Sequence, residues 1–333
     1  LRKFLAHKTA TFLIHKRCQT LKNSNNLKKK MKKIIFLTLL SIISFDLNAQ
    51  ISVDAQTVGY WSINDTQSFK ALYQKTKIKD NDTISDLKVN YEIDITVIDS
   101  TKTSYTVEWF YKNYKIETDN ELISKLSKVA NNLKVKIKTD EFGAFIEVLN
   151  WQEIQKYIGK TTKVLKKELK DVPNINEIIK QTSVFYNSKE AIEANAIKDI
   201  QQYYTFYGGK YIYDNDVNTI TKTKNNFGGE DFDTKVKISL DEIDLENDNY
   251  IIRMHSTIDS VQLTNATYKQ FKNIAKITGN KILKRDEFPN VTNETWTASR
   301  IHGSTGWTTY SVLTKEVTAE NTKNIEETTI QLK

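Results

Sequence analysis

The chain has 333 residues, with 49 Lys or Arg against 41 Asp or Glu, a formal net charge of +8 and one cysteine. Eleven of the basic residues and one acidic residue, Asp46, precede Gln50, so the remainder carries 38 basic and 40 acidic residues, a net charge of −2. The basic excess is confined to residues 1–49, which excludes nucleic acid as the expected partner of the rest. Cys18 also lies there, which excludes disulfides and thiolate sites beyond it.

Residues 31–49 predict a secretory signal peptide. Lys32 and Lys33 form a basic start, Ile34–Phe45 is apolar, and Leu47-Asn48-Ala49 is typical of a processing site. The apolar run is shorter than the roughly 20 residues that span a bilayer, and a buried core helix is the alternative interpretation. We expect an exported product, periplasmic or else extracellular, without a membrane span. Residues 1–30 lack acidic groups and are interpreted as a non-native N-terminal extension or a disordered basic tail.

Strand patterns dominate the first half of the remaining chain. Strict alternation of apolar and polar residues predicts strands, and a capping box at Thr118 with Glu121 predicts a helix that carries Leu122, Leu126 and Val129. The predicted strands are Val89–Val97, Tyr105–Tyr111, Leu133–Lys138 and Ala144–Leu149.

The centre, residues 150–207, is predicted to be helical. Asn150 is a candidate N-cap with Glu153 three residues later, and apolar residues from Trp151 to Leu169 recur at helical spacing before Pro173. A short helix is predicted over Ile175–Phe185. Another begins near Ser188, continues to Tyr203 and ends at Gly208-Gly209.

The second half repeats the order hairpin, helix, hairpin. The predicted elements are Phe232–Asp244, Asn249–Asp259, the helix Thr264–Thr278, Glu294–Ile301, Trp307–Val317 and Asn324–Leu332. The repeated order is typical of an internal duplication and equally of two ordinary meanders, and both interpretations stay open.

Together these patterns predict an α+β fold in which antiparallel hairpins form a curved sheet or half-barrel. Since no linker rich in Pro, Gly or Ser interrupts residues 50–333, we expect one domain with pseudo-halves 69–149 and 232–332. The helices of residues 150–207 would cover the apolar face of the sheet as a lid.

The densest unusual feature is an aromatic run where the central helices end. Aromatic rings with polar tips are able to line a ligand pocket, so five tyrosines are candidate ligand-binding residues: Tyr203, Tyr204, Tyr207, Tyr211 and Tyr213. The alternative is a helix-to-strand junction packed on the core. Large aromatic side chains are mostly buried in folded proteins, so four tryptophans are predicted to be core residues: Trp109, Trp151, Trp296 and Trp307.

No sequence motif predicts catalysis, a metal or a cofactor. His255 is expected on a solvent face, and His302-Gly303-Ser304-Thr305-Gly306 is interpreted as a hairpin loop, since a nucleophile elbow needs Gly-x-Ser-x-Gly between a strand and a helix. Asp214–Asn218 begins like a calcium loop but lacks its Gly and Glu, and the acidic residues of Asp241–Asp248 also lack the Gly.

The leader Ile34–Ala49, the hairpin of Tyr91–Val97 with Tyr105–Tyr111, and the helix Trp151–Leu169 resemble those of uncharacterised exported Gram-negative envelope proteins. The architecture is similar to the half-barrel fold of periplasmic lipoprotein carriers. This resemblance implies a non-enzymatic binder of a lipid or another apolar or amphipathic molecule. An envelope glycan or peptide hydrolase and an interaction module that uses edge strands are the alternatives, and the oligomeric state stays open.

Overall fold

A computed structural model describes residues 54–118, 131–170, 175–183, 186–225, 227–278 and 281–333. All of them belong to one compact unit, Val53–Lys333. The predicted leader, the basic segment before it with Cys18, and the helix predicted after Thr118 lie outside the described residues.

Thirteen strands are found in the described residues. In chain order they are β1 (Asp54–Gln56), β2 (Thr66–Lys79), β3 (Asp82–Ser100), β4 (Ser104–Glu117), β5 (Lys134–Asp140), β6 (Phe145–Val148), β7 (Lys210–Ile212), β8 (Val217–Thr223), β9 (Phe232–Asp244), β10 (Asn249–Ile258), β11 (Val291–His302), β12 (Thr308–Ala319) and β13 (Thr322–Leu332). The described helices are α1 (Trp151–Glu168), α2 (Ile175–Ser183), α3 (Lys189–Asn195), α4 (Lys198–Tyr203) and α5 (Ser260–Thr278).

Eleven strands form one curved, unclosed antiparallel sheet in the order β6-β5-β4-β3-β2-β13-β12-β11-β10-β9-β8. The predicted α+β class with a curved sheet is therefore confirmed. Strands β2 and β13 pair at the middle of the sheet, where Phe69 lies opposite Leu332 and Lys75 opposite Glu326. Strands β1 and β7 form a separate antiparallel pair.

The period-two pattern of β3 shows why the sheet has a core on one face. Its alternate residues from Val89 to Val97 are all buried, while the residues between them are half-exposed and polar. Strand β4 continues the buried face with Val107, Trp109 and Tyr111. Helix α1 contacts β5, α3 contacts β6, α4 contacts β12 and β13, and α5 contacts β11 and β9 of the same sheet.

The central helices differ from the prediction in two details. Asn150 precedes α1, but its Oδ1 accepts from the Lys136 backbone N–H at 2.8 Å and its amide donates to the Lys134 carbonyl, so it joins the helix to β5. The helix predicted from Ser188 to Tyr203 is two short helices, because α3 ends at Asn195 and α4 begins at Lys198. Ser188 does cap α3, since its Oγ accepts from the Ala191 N–H at 3.1 Å.

Four strands escaped prediction: β1, β2, β7 and β8. The inward face of β2 mixes Gln67, Phe69, Ala71, Tyr73 and Lys75, so no run of apolar residues marks it. Strand β8 is a largely exposed edge, and β7 has only three residues. Strands β1 and β7 pair with each other, and β2 pairs with β13, so these three depend on partners distant in sequence that no local pattern reveals. Strand β8 pairs with its neighbour β9.

Candidate functional site: a cleft between the sheet and helices α3 and α4

A cleft of about 640 Å³ separates the inner face of the sheet from helices α3 and α4. We call it the sheet–helix cleft. Its sheet side is lined by Tyr73, Val89, Tyr91, Tyr114, Thr295, Leu313, Lys315, Glu326 and Thr328, and its helix side by Tyr186, Ala194, Asn195, Ala196, Lys198, Asp199, Gln201 and Gln202. The cleft therefore joins residues that lie up to 255 positions apart in the chain.

One end of the cleft is aromatic and encloses a carboxylate. The rings of Tyr91 and Tyr114 stack with centroids 4.9 Å apart. Tyr91 Oη donates to Asp199 Oδ2 at 3.2 Å, and Tyr111 Oη donates to Asp199 Oδ1 at 3.1 Å. Burial raises the pKa of Asp199, although these two hydrogen bonds oppose the shift. The phenols thus hold the first turn of α4 against β3 and β4.

The other end of the cleft is charged. Lys75 Nζ lies 2.7 Å from Glu326 Oε1. Burial alone would raise the pKa of Glu326, but the hydrogen bond from Lys75 and the charges of Lys75, Lys198 and Lys315 together lower it. Lys315 lies directly opposite Glu326 on the neighbouring strand. Burial lowers the pKa of Lys315, Glu326 opposes the shift, and Lys198 and Lys75 reinforce it. Burial also raises the pKa of Tyr73, with a contribution from Glu326, to about 12.

Polar contacts tie α4 to the strands beside the cleft. Gln202 Nε2 donates to Ser311 Oγ and to the Thr328 carbonyl, both at 3.1 Å. The Ser311 hydroxyl is also 3.1 Å from that of Ser299. These hydrogen bonds join the helix side of the cleft to β11, β12 and β13.

The predicted tyrosine site is largely a packing region. Tyr203, Tyr204, Tyr207 and Tyr211 are buried, and only Tyr213, at 45% exposure, reaches solvent. Burial raises the pKa of Tyr203, Tyr204 and Tyr207 well above the usual range, and that of Tyr211 to about 12. Their role in ligand binding stays a prediction, while the role that the structure gives four of them is to pack in the core.

Three of those tyrosines pack near Trp109, Trp151 and Trp307, which the sequence placed in the core, and against Trp61, which it did not single out. The ring centroid of Trp61 lies 5.5 Å from that of Tyr207 and 5.1 Å from that of Trp307. Tyr207 Oη donates to the Gly306 carbonyl at 2.6 Å. Trp109 is fully buried, and Trp151 packs at the edge of the same cluster.

The core prediction for Trp296 is wrong. It is 39% exposed, on the face of the sheet opposite the core, and stacks on His255, its partner across strands β10 and β11, at 5.1 Å. Residues that lie opposite each other in an antiparallel sheet share a face. Trp296 is therefore exposed because it lies opposite His255, which the sequence predicts on a solvent face.

The two histidines of the described residues, His255 and His302, lie apart from the sheet–helix cleft. His255 Nε2 is 3.8 Å from Glu294 and His302 Nε2 is 3.9 Å from Asp248, both too long for hydrogen bonds. Ser304 lies in the hairpin turn as expected, and its N–H donates to Asp248 Oδ2. Within the ranges described above, no group of three or more His, Cys, Asp or Glu is arranged to hold a metal.

The two acidic segments are engaged in local contacts. Asp216 pairs with Lys237 at 2.7 Å, and Asp241 pairs with Arg253 at 2.7 Å. Asp244 Oδ1 accepts from the Asn247 N–H at 3.0 Å. Such contacts are typical of solvated turns and surface strands.

Sequence reasoning missed Lys315, Glu326 and Asp199. One signal was available, because Lys315 occupies the same strand phase as Leu313 and Val317, where a charge interrupts an inward apolar row. No comparable signal marks Asp199, whose tyrosine partners lie 88 and 108 residues away.

Comparison with known proteins gives little. No protein-family model matches the chain, and no curated protein matches it. Among solved structures the chain is similar to one concerning lipid–protein interactions in lipovitellin, with 8% identity and a TM-score of 0.37. That similarity covers 82% of this chain and 25% of the other. None of the helices in the described ranges combines the length and the apolar character that crossing a bilayer requires.

Proposed function

We propose that this protein is an exported binder that holds an amphipathic small molecule in the sheet–helix cleft. The observation that carries the proposal is the cleft itself, whose 640 Å³ lies within the roughly 300–1,000 Å³ usual for small-molecule sites. Its walls combine rings and aliphatic side chains at one end with ionised groups at the other.

The chemistry of the two ends supports an amphipathic ligand. Val89, Leu313 and the stacked pair Tyr91–Tyr114 provide surface for an apolar chain. Lys315 and Glu326 would meet a polar headgroup, since an ionised group in a partly buried site interacts more strongly than in water.

Two finer parts of the proposal are export and the half-barrel architecture. The leader-like residues 31–49 support export, and the curved unclosed sheet with helices across one face supports a half-barrel of the lipoprotein-carrier kind. Intact-mass analysis of protein from the native host would test export, with a mature chain beginning at Gln50 expected. A cytosolic product that retains Cys18 would contradict it.

Binding is tested by filling the cleft from its sheet side. Leu313→Trp places a large ring in the sheet–helix cleft, while Val312→Trp, on the adjacent residue, places the same ring on the opposite face of the sheet. We expect Leu313→Trp to abolish binding of a fluorescent amphiphile and Val312→Trp to preserve it. Equal binding by the two variants would contradict the assignment of the site.

A further inference from the structure

We propose that the sheet–helix cleft selects amphiphiles with an anionic headgroup, and that Lys315 binds the anion. This inference rests on the proposed function and names its ligand class. It starts from the position of Lys315, which points inward from β12, is half-buried, and lines the cleft beside Leu313.

The ammonium of Lys315 is not matched by a carboxylate of its own. Lys75 engages Glu326 at 2.7 Å, whereas Lys315, among the described residues, forms no ion pair within 4.0 Å. A partly buried charge without a partner is costly, and an anion that enters the cleft would offset this cost. The ligand would thus supply the counter-ion that the protein lacks.

The net charge around Lys315 also favours an anionic ligand. Lys75, Lys198 and Lys315 interact electrostatically with the single carboxylate of Glu326, which leaves an excess of positive charge at this end. Burial holds the pKa of Lys315 below its usual value, and a bound carboxylate or phosphate would raise it again.

The opposite end of the cleft is unsuited to an anion. Asp199 lies there with Tyr91 and Tyr111 as its hydroxyl donors, and a second negative group beside it would be repelled. The two ends therefore orient the ligand, with its apolar chain along Tyr91 and Tyr114 and its headgroup at Lys315.

A panel of ligands with one dodecyl chain tests the headgroup. The full-length protein should bind dodecanoate and dodecyl phosphate at least about tenfold more tightly than dodecanol. The reason is that a hydrogen bond to a charged group contributes about one to two powers of ten in affinity. Dodecyltrimethylammonium should bind more weakly than dodecanol. Titrations are made below micellar concentrations and followed by calorimetry.

The same titrations separate an amphiphile from a free anion. Acetate and inorganic phosphate present a negative charge without the dodecyl chain. Neither should displace bound dodecanoate when it is added at a concentration at which dodecanoate itself saturates the site. Displacement by either small anion would overturn the proposal, since the site would then recognise an anion alone.

The residue is tested by Lys315→Met, with Lys70→Met, a charge removed from the exposed outer face of β2, as the matched control. We expect Lys315→Met to weaken dodecanoate binding about ten- to a hundredfold and to leave dodecanol unchanged, while Lys70→Met changes neither. Thermal melts show whether each variant is folded.

Failure of this inference is distinguishable from failure of the proposed function. If dodecanol and dodecanoate bind the wild type equally and Lys315→Met changes neither, the cleft binds amphiphiles and the headgroup assignment is wrong. If no dodecyl ligand binds at all, the proposed function itself is wrong.

Discussion

The two halves of the sheet use the same inward face in different ways. On β3, β4 and β5 that face is apolar and buried, with Ile93, Trp109 and Ile137 fully enclosed by the helices. On β11 and β12 it carries hydroxyls and a charge instead, among them Ser311 and Lys315. The sheet thus combines a packed apolar face on β3, β4 and β5 with a partly polar face on β11 and β12, and the sheet–helix cleft is lined by residues of both.

The largest expected effect comes from replacing one tryptophan on the buried inward face and one on the exposed outer face of the sheet. Trp109→Ala should lower the free energy of unfolding by about 3–5 kcal/mol, because the fully buried ring packs on Tyr203 and Tyr204. Trp296→Ala, at an exposed position, should cost less than about 1 kcal/mol. Urea denaturation measures both, and similar losses would contradict the difference in burial.

Glycines provide a second pair. Gly306 has φ +67°, and an added Cβ would lie 1.8 Å from the Val58 carbonyl oxygen, so Gly306→Ala should destabilise the protein by about 2 kcal/mol or more. Gly159 lies within α1 with open space around it, so Gly159→Ala should stabilise it by about 0.5–1 kcal/mol. Melting temperatures that move in the same direction would contradict this expectation.

A smaller effect distinguishes the carboxylates at the two ends of the cleft. The pKa of Asp199 is raised from 3.8 in the folded state, so the folded state binds its proton more readily than the unfolded state does. The stability that protonation gives is complete below pH 3.8 and is lost as the pH rises through the raised value. The difference in unfolding free energy between wild type and Asp199→Asn should therefore fall with rising pH.

Glu326 provides the opposite control. Its pKa is lowered from 4.5, so its contribution to stability is present above that pH and is lost as the pH falls through the folded value. The unfolding free energy of the wild type minus that of Glu326→Gln should accordingly rise with pH. Both differences are measured by urea denaturation over the acidic range. If the two differences change with pH in the same direction, one of the two assignments is wrong.

Local pattern predicts the sheet well where one face is apolar. Strands β9 and β10 match the predicted hairpin within one residue, because apolar residues recur at every second position of β10, at Tyr250, Ile252 and Met254. It fails at β2, where Lys70 and Leu72 lie outward while Lys75 lies inward, so neither phase is purely apolar. Only pairing with β3 and β13 decides its register.

The site was harder to predict than the fold for a related reason. A run of tyrosines is conspicuous in sequence, yet the buried position of Tyr203 against Phe69 and Trp109 depends on how α4 packs on the sheet. Lys315, by contrast, is marked in the sequence only as a charge that interrupts the inward row of Leu313 and Val317. Its position opposite Glu326 depends on the pairing of β12 with β13, which periodicity within β12 does not reveal.

The pairing of β2 with β13 has a consequence for how ligand and folding are coupled. The ion pair of Lys75 with Glu326 closes a loop of 251 residues, and contacts of such separation are slow to form. An occupant of the neighbouring cleft would bind only after this seam has closed, and would add its binding energy there. A saturating amphiphile should therefore slow unfolding where β2 pairs with β13. The lifetime of the folded protein would then depend on whether the cleft is occupied.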